Sequence, residues 1–521
     1  MPGHCPRCAR AGRTERRMSE TDERVTLHRR LRQAAEGKRL LRRLKRETGF
    51  GRCFLFCDPL WTEAAMPLLP GYAQNCGEKL LLLFTDTGTK ELRNLPESAG
   101  IRHVTRAQAD ALTAALALWN GLPLRIASPE MPCDLGSAKL EGYKGISKQD
   151  ILLADVFAAE AGCADGQHGR IPAGRKRRLK EAAKRVLGGA WQPGMVLLGG
   201  LYWHRLRNAA GSRTLLFLRG PTGDAYLLLS YLPEYLSQSG IRDAVLTGDA
   251  KNLSAIAGLY GREALPVSEW QASCIQRLYL LMGGEALGMR HLLPWGIRGK
   301  NLNLSRMRTD ERLTFMDSIR RSALGLDEDA QPVFPELSEA EEEQKARWQA
   351  AGILPGRTVI LSPAAYSLKP LPDGFWRRVC DGLERQGWNT VFCCDPQREP
   401  VPVPGKANCF FPYREGEALL RYAGGFLAVR SGLCDVVSRA ACRMVILHPP
   451  RPERPDRTRH RSDRAFCGLT EMGLRSETGE LETPLLREKY EPGPALGTGE
   501  IQREEDRLAT GILRAFGRPE T

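Results

Sequence analysis

Two short stretches carry residue types that fit one chemistry. In GGFLAVRSGLCDVVSRAACRMVILHP an apolar run, Phe426 to Val429, stops at Arg430-Ser431-Gly432. A helix-like segment follows, then a second apolar run from Met444 to Leu447. A strand ending at a helix mouth presents backbone N–H groups, here those of Gly432 and Leu433, and the helix dipole favours an anion beside them. Arg430 and Ser431 would add a charge and a hydroxyl, and Asp435 stands one turn on. Upstream, RTVILSPAAYSLKPLPDGFW reads as a strand and a loop that offers Ser362, Tyr366, Ser367 and Lys369. Taken singly, Arg430 equally fits a partner for a neighbouring carboxylate, and Ser431 an N-cap. Taken together, the two loops fit a diphosphate.

A carboxylate stands in the complementary position. SRTLLFLRGPTGDAYLLLSYLPEYL gives a strand at Thr214–Leu218, a tight loop Gly220-Pro221-Thr222-Gly223, then Asp224 and a helical pattern over Ala225–Leu236. A carboxylate in a first helical turn serves the dipole. If its loop faces the other across a cleft, Asp224 is placed as a general base. Such a base is needed where a hydroxyl attacks a sugar carbon bearing a diphosphate, and positive groups on the facing loop then stabilise the leaving group.

Both loops need strands that end on the same side of a sheet, because ligands of doubly wound sheets sit beyond the carboxyl ends of the strands. The pattern supplies them. After Thr214–Leu218 come strand AVLTG, helix NLSAIAGLYG and strand ALPV. After Val359–Leu361 come a helix over Asp373–Gln386, with Asp373 as N-cap, and a strand at Thr390–Cys394. A polar, helix-rich connection over 305–350 joins these two βαβ units, and an amphipathic helix at Gln502–Phe516 closes the chain. Residues 50–165 also alternate, with apolar runs at Cys53–Cys57, Lys79–Phe84 and Leu124–Ala127 and a helical stretch at Thr105–Trp119, which predicts a further small parallel sheet.

The predicted organisation is therefore α/β throughout. A basic N-terminal tail and helix (1–49) leads into an accessory α/β domain (50–165) and a basic linker (166–210). Two Rossmann-like lobes follow, at 211–350 and 351–470, then a C-terminal tail and helix (471–521). Residues 1–46 hold 15 Lys/Arg against 5 Asp/Glu, so two-thirds of the net +15 is a property of the tail. That fits either a solubilising tail or contact with anionic lipid; without interleaved aromatics it does not fit base stacking, and no specific nucleic-acid partner is expected. No run of eighteen apolar residues and no apolar h-region appears, so a cytoplasmic protein, peripheral to the inner face of the cell membrane, is expected. Most of the fifteen cysteines lie in apolar runs and read as reduced. Cys5-Pro-Arg-Cys8 lacks a second pair to complete a zinc site, and Met18 opens a plausible alternative start. Asp327-Glu328-Asp329 has the letters of a metal motif in a polar loop, and no Walker A or GxGxxG follows a strand. Neither metal nor cofactor is expected.

FLRGPTGDAYLLLSYLPEYL resembles the N-lobe opening of the ADP-heptose–lipopolysaccharide heptosyltransferases, glycosyltransferase family 9, through Gly223-Asp224 and Leu232-Pro233. ILSPAAYSLKPLPDGFWRRVCDGLERQGWNTVF is similar to the family's strand, turn, Lys-Arg-Trp-Pro stretch and helix, and AVRSGLCDVVSRAACRMVILHP to its Asp-Thr-Gly-Leu-x-His segment. The resemblance covers roughly residues 212–470. It implies the two-lobed GT-B fold and inverting, metal-independent transfer of a sugar from a nucleotide diphosphate to a glycan or glycolipid acceptor. It places Asp224 as base, supported by Gly220, Thr222 and Gly223. Ser362, Lys369, Arg430, Ser431, Gly432, Leu433 and Asp435 fall at donor positions. Arg430 stands where the family has Asp, Asp435 where it has His, and Pro370 where it has Arg, which points to a nucleotide sugar other than ADP-heptose. A nucleotide-sugar epimerase and a non-catalytic binding protein are the alternatives.

Overall fold

The computed structural model describes residues 20–56, 79–85, 99–118, 124–127, 194–282, 287–292, 313–336, 339–450, 463–487 and 497–519. Their strands form three wholly parallel sheets. Parallel sheets need cover on both faces, and the sequence provides it with near-continuous apolar strands and intervening helices.

The first sheet runs β3-β2-β1-β4, from β1 (Arg52–Phe56), β2 (Leu80–Phe84), β3 (Ala99–His103) and β4 (Leu124–Ala127). The N-terminal helix Glu20–Thr48 lies along it on a narrow stripe: Leu41 and Leu44 are buried with Cys53, Leu55, Leu81 and Leu83. Its exposed side carries Arg29, Arg32, Arg39, Arg42, Arg43, Lys45 and Arg46. Gly37 lets this helix cross Arg106–Leu118 closely, since a β-carbon there would strike the Ala111 carbonyl. Ala34, Ala114, Ala115 and Leu118 continue into a core shared with Trp203, Ile275, Leu278 and Tyr279 of the next unit. The accessory domain is thus packed onto its neighbour.

That neighbour, the N-lobe, has the order β7-β6-β5-β8, with β5 Thr214–Leu218, β6 Ala244–Gly248, β7 Ala264–Pro266 and β8 Met289–Leu292. Residues 194–210, which composition assigns to the linker, are helical and bury Val196, Trp203, Leu206 and Ala210 in the shared core. The helix expected over Ala225–Leu236 is two helices, Thr222–Leu229 and Leu232–Gln238. The break falls at Ser230–Tyr231 because Pro233, in the first turn of the second helix, has no N–H to continue the first. Ser230 uses the break: its hydroxyl donates to Leu227 O and its carbonyl accepts the Val333 N–H from the interlobe connection.

The C-lobe has the order β10-β9-β11-β12-β13, with β9 Thr358–Ser362, β10 Asn389–Phe392, β11 Gly424–Val429, β12 Arg443–His448 and β13 Gly479–Glu482. A single parallel bridge, Phe392 to Asn408, extends it beyond β10. The helix Asp373–Arg385 buries Phe375, Trp376, Val379 and Leu383; Pro372 is its cap and Asp373 its first residue, so the cap falls one place earlier than the sequence reading. The terminal helix spans Thr498–Phe516 and adds Leu508, Ile512 and Phe516 to the same core, with Arg378 paired to Glu505. Strand β13 and this helix make the stretch after 470 part of the lobe.

Candidate functional site

The site is built where the carboxyl ends of the N-lobe and C-lobe sheets meet. On the N-lobe side β5 ends at Leu218 and the chain turns at Gly220, whose φ of 124° suits glycine. Pro221 then caps the helix, placing Thr222, Gly223 and Asp224 in its first turn. Thr222 and Gly223 are buried and Asp224 is half-buried. The Thr222 hydroxyl donates to Lys251 O at 3.3 Å and accepts from Asn252 Nδ2 at 3.1 Å. Arg219 fixes the ends of β5 and β6 together: its Nε and Nη2 reach both oxygens of Asp249 at 2.8 and 2.7 Å, and Nη1 donates to Gln276 at 2.5 Å. A fork-on-fork pair of this kind sets geometry as well as energy.

On the C-lobe side the helix Gly432–Val436 follows β11, with Ser431 at the cap position but making no side-chain cap bond. Arg430 does not project its charge toward an open cleft. Its Nη1 and Nη2 donate to the two Asp435 carboxylate oxygens at 3.0 and 2.5 Å, Nε donates to Cys467 O at 3.1 Å, and Nη1 also reaches Ser431 O at 2.8 Å. Of the two roles its position allowed, partner of a neighbouring carboxylate is the one this geometry displays. Asp435 is buried, as is Ser362 at the end of β9, whereas Leu433 is half-buried. Lys369 is exposed on the β9 loop, which is tied to the segment following β13 by the Lys369 N–H to Arg487 O at 2.8 Å. Burial pushes the Asp435 carboxyl up and the Arg430 charge pulls it back, with burial the larger.

The two helix mouths touch. A β-carbon on Gly432 would lie 2.5 Å from the Gly223 nitrogen, and one on Gly223 would strike the Asp435 carboxylate and lie 2.8 Å from the Gly432 Cα. Two helix N-termini, each a positive pole, therefore abut, and the carboxylates of Asp224 and Asp435 offset them. Glycine at both positions is what permits the approach. Beside this joint Asn252, itself left-handed at φ 58°, donates to the Tyr413 hydroxyl at 2.8 Å. Burial pushes the Tyr413 phenol up. The Lys251 ammonium lies 3.1 Å from the ring centroid of Tyr366. Sequence reasoning passed over Lys251, Asn252 and Tyr413; the first two follow β6 directly, so the rule that selected Asp224 would have found them in AVLTGDAKN.

A direct consequence concerns the joint. Gly223→Val cannot keep this contact without moving the lobes apart, so its solution-scattering radius of gyration is expected to exceed the parent's while far-UV circular dichroism is unchanged. A parent-like scattering curve would mean that the joint absorbs a side chain locally.

Among the described residues no group of three or more His, Cys, Asp or Glu side chains is arranged to hold a metal. Asp327, Glu328 and Asp329 are exposed on a surface turn. Cys5, Cys8 and the rest of residues 1–17 lie outside the described residues.

Two Rossmann-like lobes whose strand ends face each other define the GT-B arrangement, here with an added α/β domain. Solved structures similar to this chain include a glycosyl transferase of family 9 from Veillonella parvula DSM 2008, at 16% identity and TM-score 0.36 over 58% of this chain and 97% of that one. They also include E. coli ADP-heptose lps heptosyltransferase II, at 14% identity and TM-score 0.37 over 58% and 99%. The iron-containing dodecameric glycosyltransferase TibC from enterotoxigenic E. coli H10407 matches at 14% identity and TM-score 0.35 over 58% and 75%. No protein-family profile and no curated protein sequence matches the chain.

Proposed function

We propose that the chain is an inverting, metal-independent glycosyltransferase that moves a sugar from a nucleotide diphosphate to a cell-envelope or exopolysaccharide acceptor. One observation carries this reading: Asp224, in the first turn of a helix at the end of β5, is next to Gly223, where that helix meets Gly432 and Asp435 of the opposite lobe. With the lobes parted by a donor, the backbone N–H groups of Gly432 and Leu433 and the ammonium of Lys369 would take the diphosphate, and Asp224 would take the proton of the attacking hydroxyl. In this reading Arg430 acts through Asp435, fixing the helix that carries those N–H groups. The exposed arginines and lysines of Glu20–Thr48 suit anionic lipid, which would hold the enzyme at the inner membrane face where a glycolipid acceptor resides. Among the described residues no helix is long and apolar enough to cross a membrane.

A second reading, a binding protein of the same fold without transfer activity, is favoured by the closed Gly223–Gly432 joint. Thermal unfolding in the presence of UDP, GDP, ADP, CDP or dTDP separates the two. A donor site stabilises the protein by about 2.7 kcal/mol at a nucleotide concentration 100-fold above Kd. A rise in Tm with one nucleotide supports the donor cleft and identifies the base; no rise with any of the five moves the assignment to the binding protein.

A further inference from the structure

Tyr366 is 76% exposed, more than any other large hydrophobic side chain among the described residues. Its backbone is nevertheless held. On one side Ser362 is buried at the end of β9; on the other, Leu368 is buried, its N–H bonded to Ala365 O, and the Lys369 N–H is bonded to Arg487 O. A fixed loop thus presents an aromatic face at the carboxyl end of the C-lobe sheet. That face is covered from the opposite lobe by the Lys251 ammonium, 3.1 Å from the ring centroid. Lys251 is likewise held by its main chain: its N–H donates to Gly220 O at 3.1 Å and its carbonyl accepts the Thr222 hydroxyl. The four-carbon side chain can therefore leave the ring while the loop that supports Asp224 stays in place.

We infer that Tyr366 is the stacking platform for the donor's nucleobase, and that Lys251, seated over its ring, exchanges that contact for the donor's phosphates. The inference rests on the nucleotide-sugar reading above. If the diphosphate lies between the Gly432–Leu433 N–H groups and Lys369, it borders the β9 loop that also carries Tyr366, which puts the ring within reach of the base. Every base has a π face, so an aromatic platform holds it with little regard to sequence or base identity. An ammonium on a ring is a modest contact at an exposed site, whereas an ammonium on a phosphate is charge-assisted, so the exchange is downhill.

The test is calorimetric titration of the full chain with the nucleoside diphosphate that raises Tm most, and separately with inorganic pyrophosphate. Tyr366→Leu is expected to raise the nucleoside diphosphate Kd about tenfold and to leave pyrophosphate within about twofold. Tyr366→Phe is expected to keep the parent affinity. Lys251→Met is expected to weaken both ligands by a similar factor, about threefold to tenfold, and to flatten the salt dependence. The inference is overturned if Tyr366→Leu leaves nucleoside diphosphate affinity unchanged, or weakens pyrophosphate equally. A parent that binds neither pyrophosphate nor any nucleoside diphosphate removes the donor reading itself, a result distinct from these.

Discussion

Asp224→Asn is expected to lower turnover by about 10²–10⁴-fold, the range supplied by a positioned general base. The substitution keeps the size of the side chain and its place in the first turn of Thr222–Leu229, so the joint at Gly223 is undisturbed. It removes one negative charge from a helix N-terminus, costing about 0.3–1 kcal/mol of stability. Nucleotide affinity is expected to stay level or to rise slightly, since an anion no longer faces a diphosphate. The measurement is release of nucleoside diphosphate from a nucleotide sugar, with Kd determined in parallel. A fall in turnover at constant Kd places the loss in the transition state. Equal turnover in parent and variant would remove Asp224 from the chemistry and leave it as a dipole partner.

The sequence made the two lobes legible because their strands are short, continuous apolar runs bounded by turn residues, and because loops at strand ends follow a topological rule. It hid elements whose apolar signal is thin. Strand β8 is Met-Arg-His-Leu and β13 is Gly-Glu-Leu-Glu, and each is a strand because a neighbouring strand offers its ladder. The helix 194–210 was masked by the basic stretch before it, since its buried positions, Val196, Trp203, Leu206 and Ala210, are few and spread over fifteen residues. The site was half readable. Asp224, Ser431 and Gly432 could be assigned to strand ends by pattern, but that Gly223 and Gly432 touch is a long-range contact with no local signature. Likewise the engagement of Arg430 by Asp435 was one of two options that residue type alone could not separate, because a guanidinium serves a carboxylate and a phosphate by the same geometry.

That pair carries the second large expected effect, on stability. Arg430 and Asp435 retain only 14% and 5% of their side-chain exposure, so neither charge has water in reserve. Arg430→Met leaves a buried carboxylate without its partner and strips donors from Ser431 O and Cys467 O; breaking such a pair costs about 3–5 kcal/mol. The loss should depend on pH in a defined direction. Burial already pushes the Asp435 carboxyl up, and Arg430 is what pulls it back. Without Arg430 the folded-state value climbs further above the unfolded value, about 3.9. A carboxyl raised on folding favours the folded state while protonated, so the variant is least impaired at acid pH. It loses ground as pH climbs past the unfolded value and through the folded one. Denaturant unfolding at pH 4.5 and pH 8 should therefore show a larger deficit at pH 8. The double variant Arg430→Met/Asp435→Leu removes the stranded charge and should recover part of the loss, because the cost of the single change lies in the unpaired carboxylate rather than in the absent cation. A deficit independent of pH, with no recovery in the double variant, would mean that Arg430 holds the lobe through its carbonyl contacts at Cys467 and Ser431 and that the ion pair contributes nothing to it.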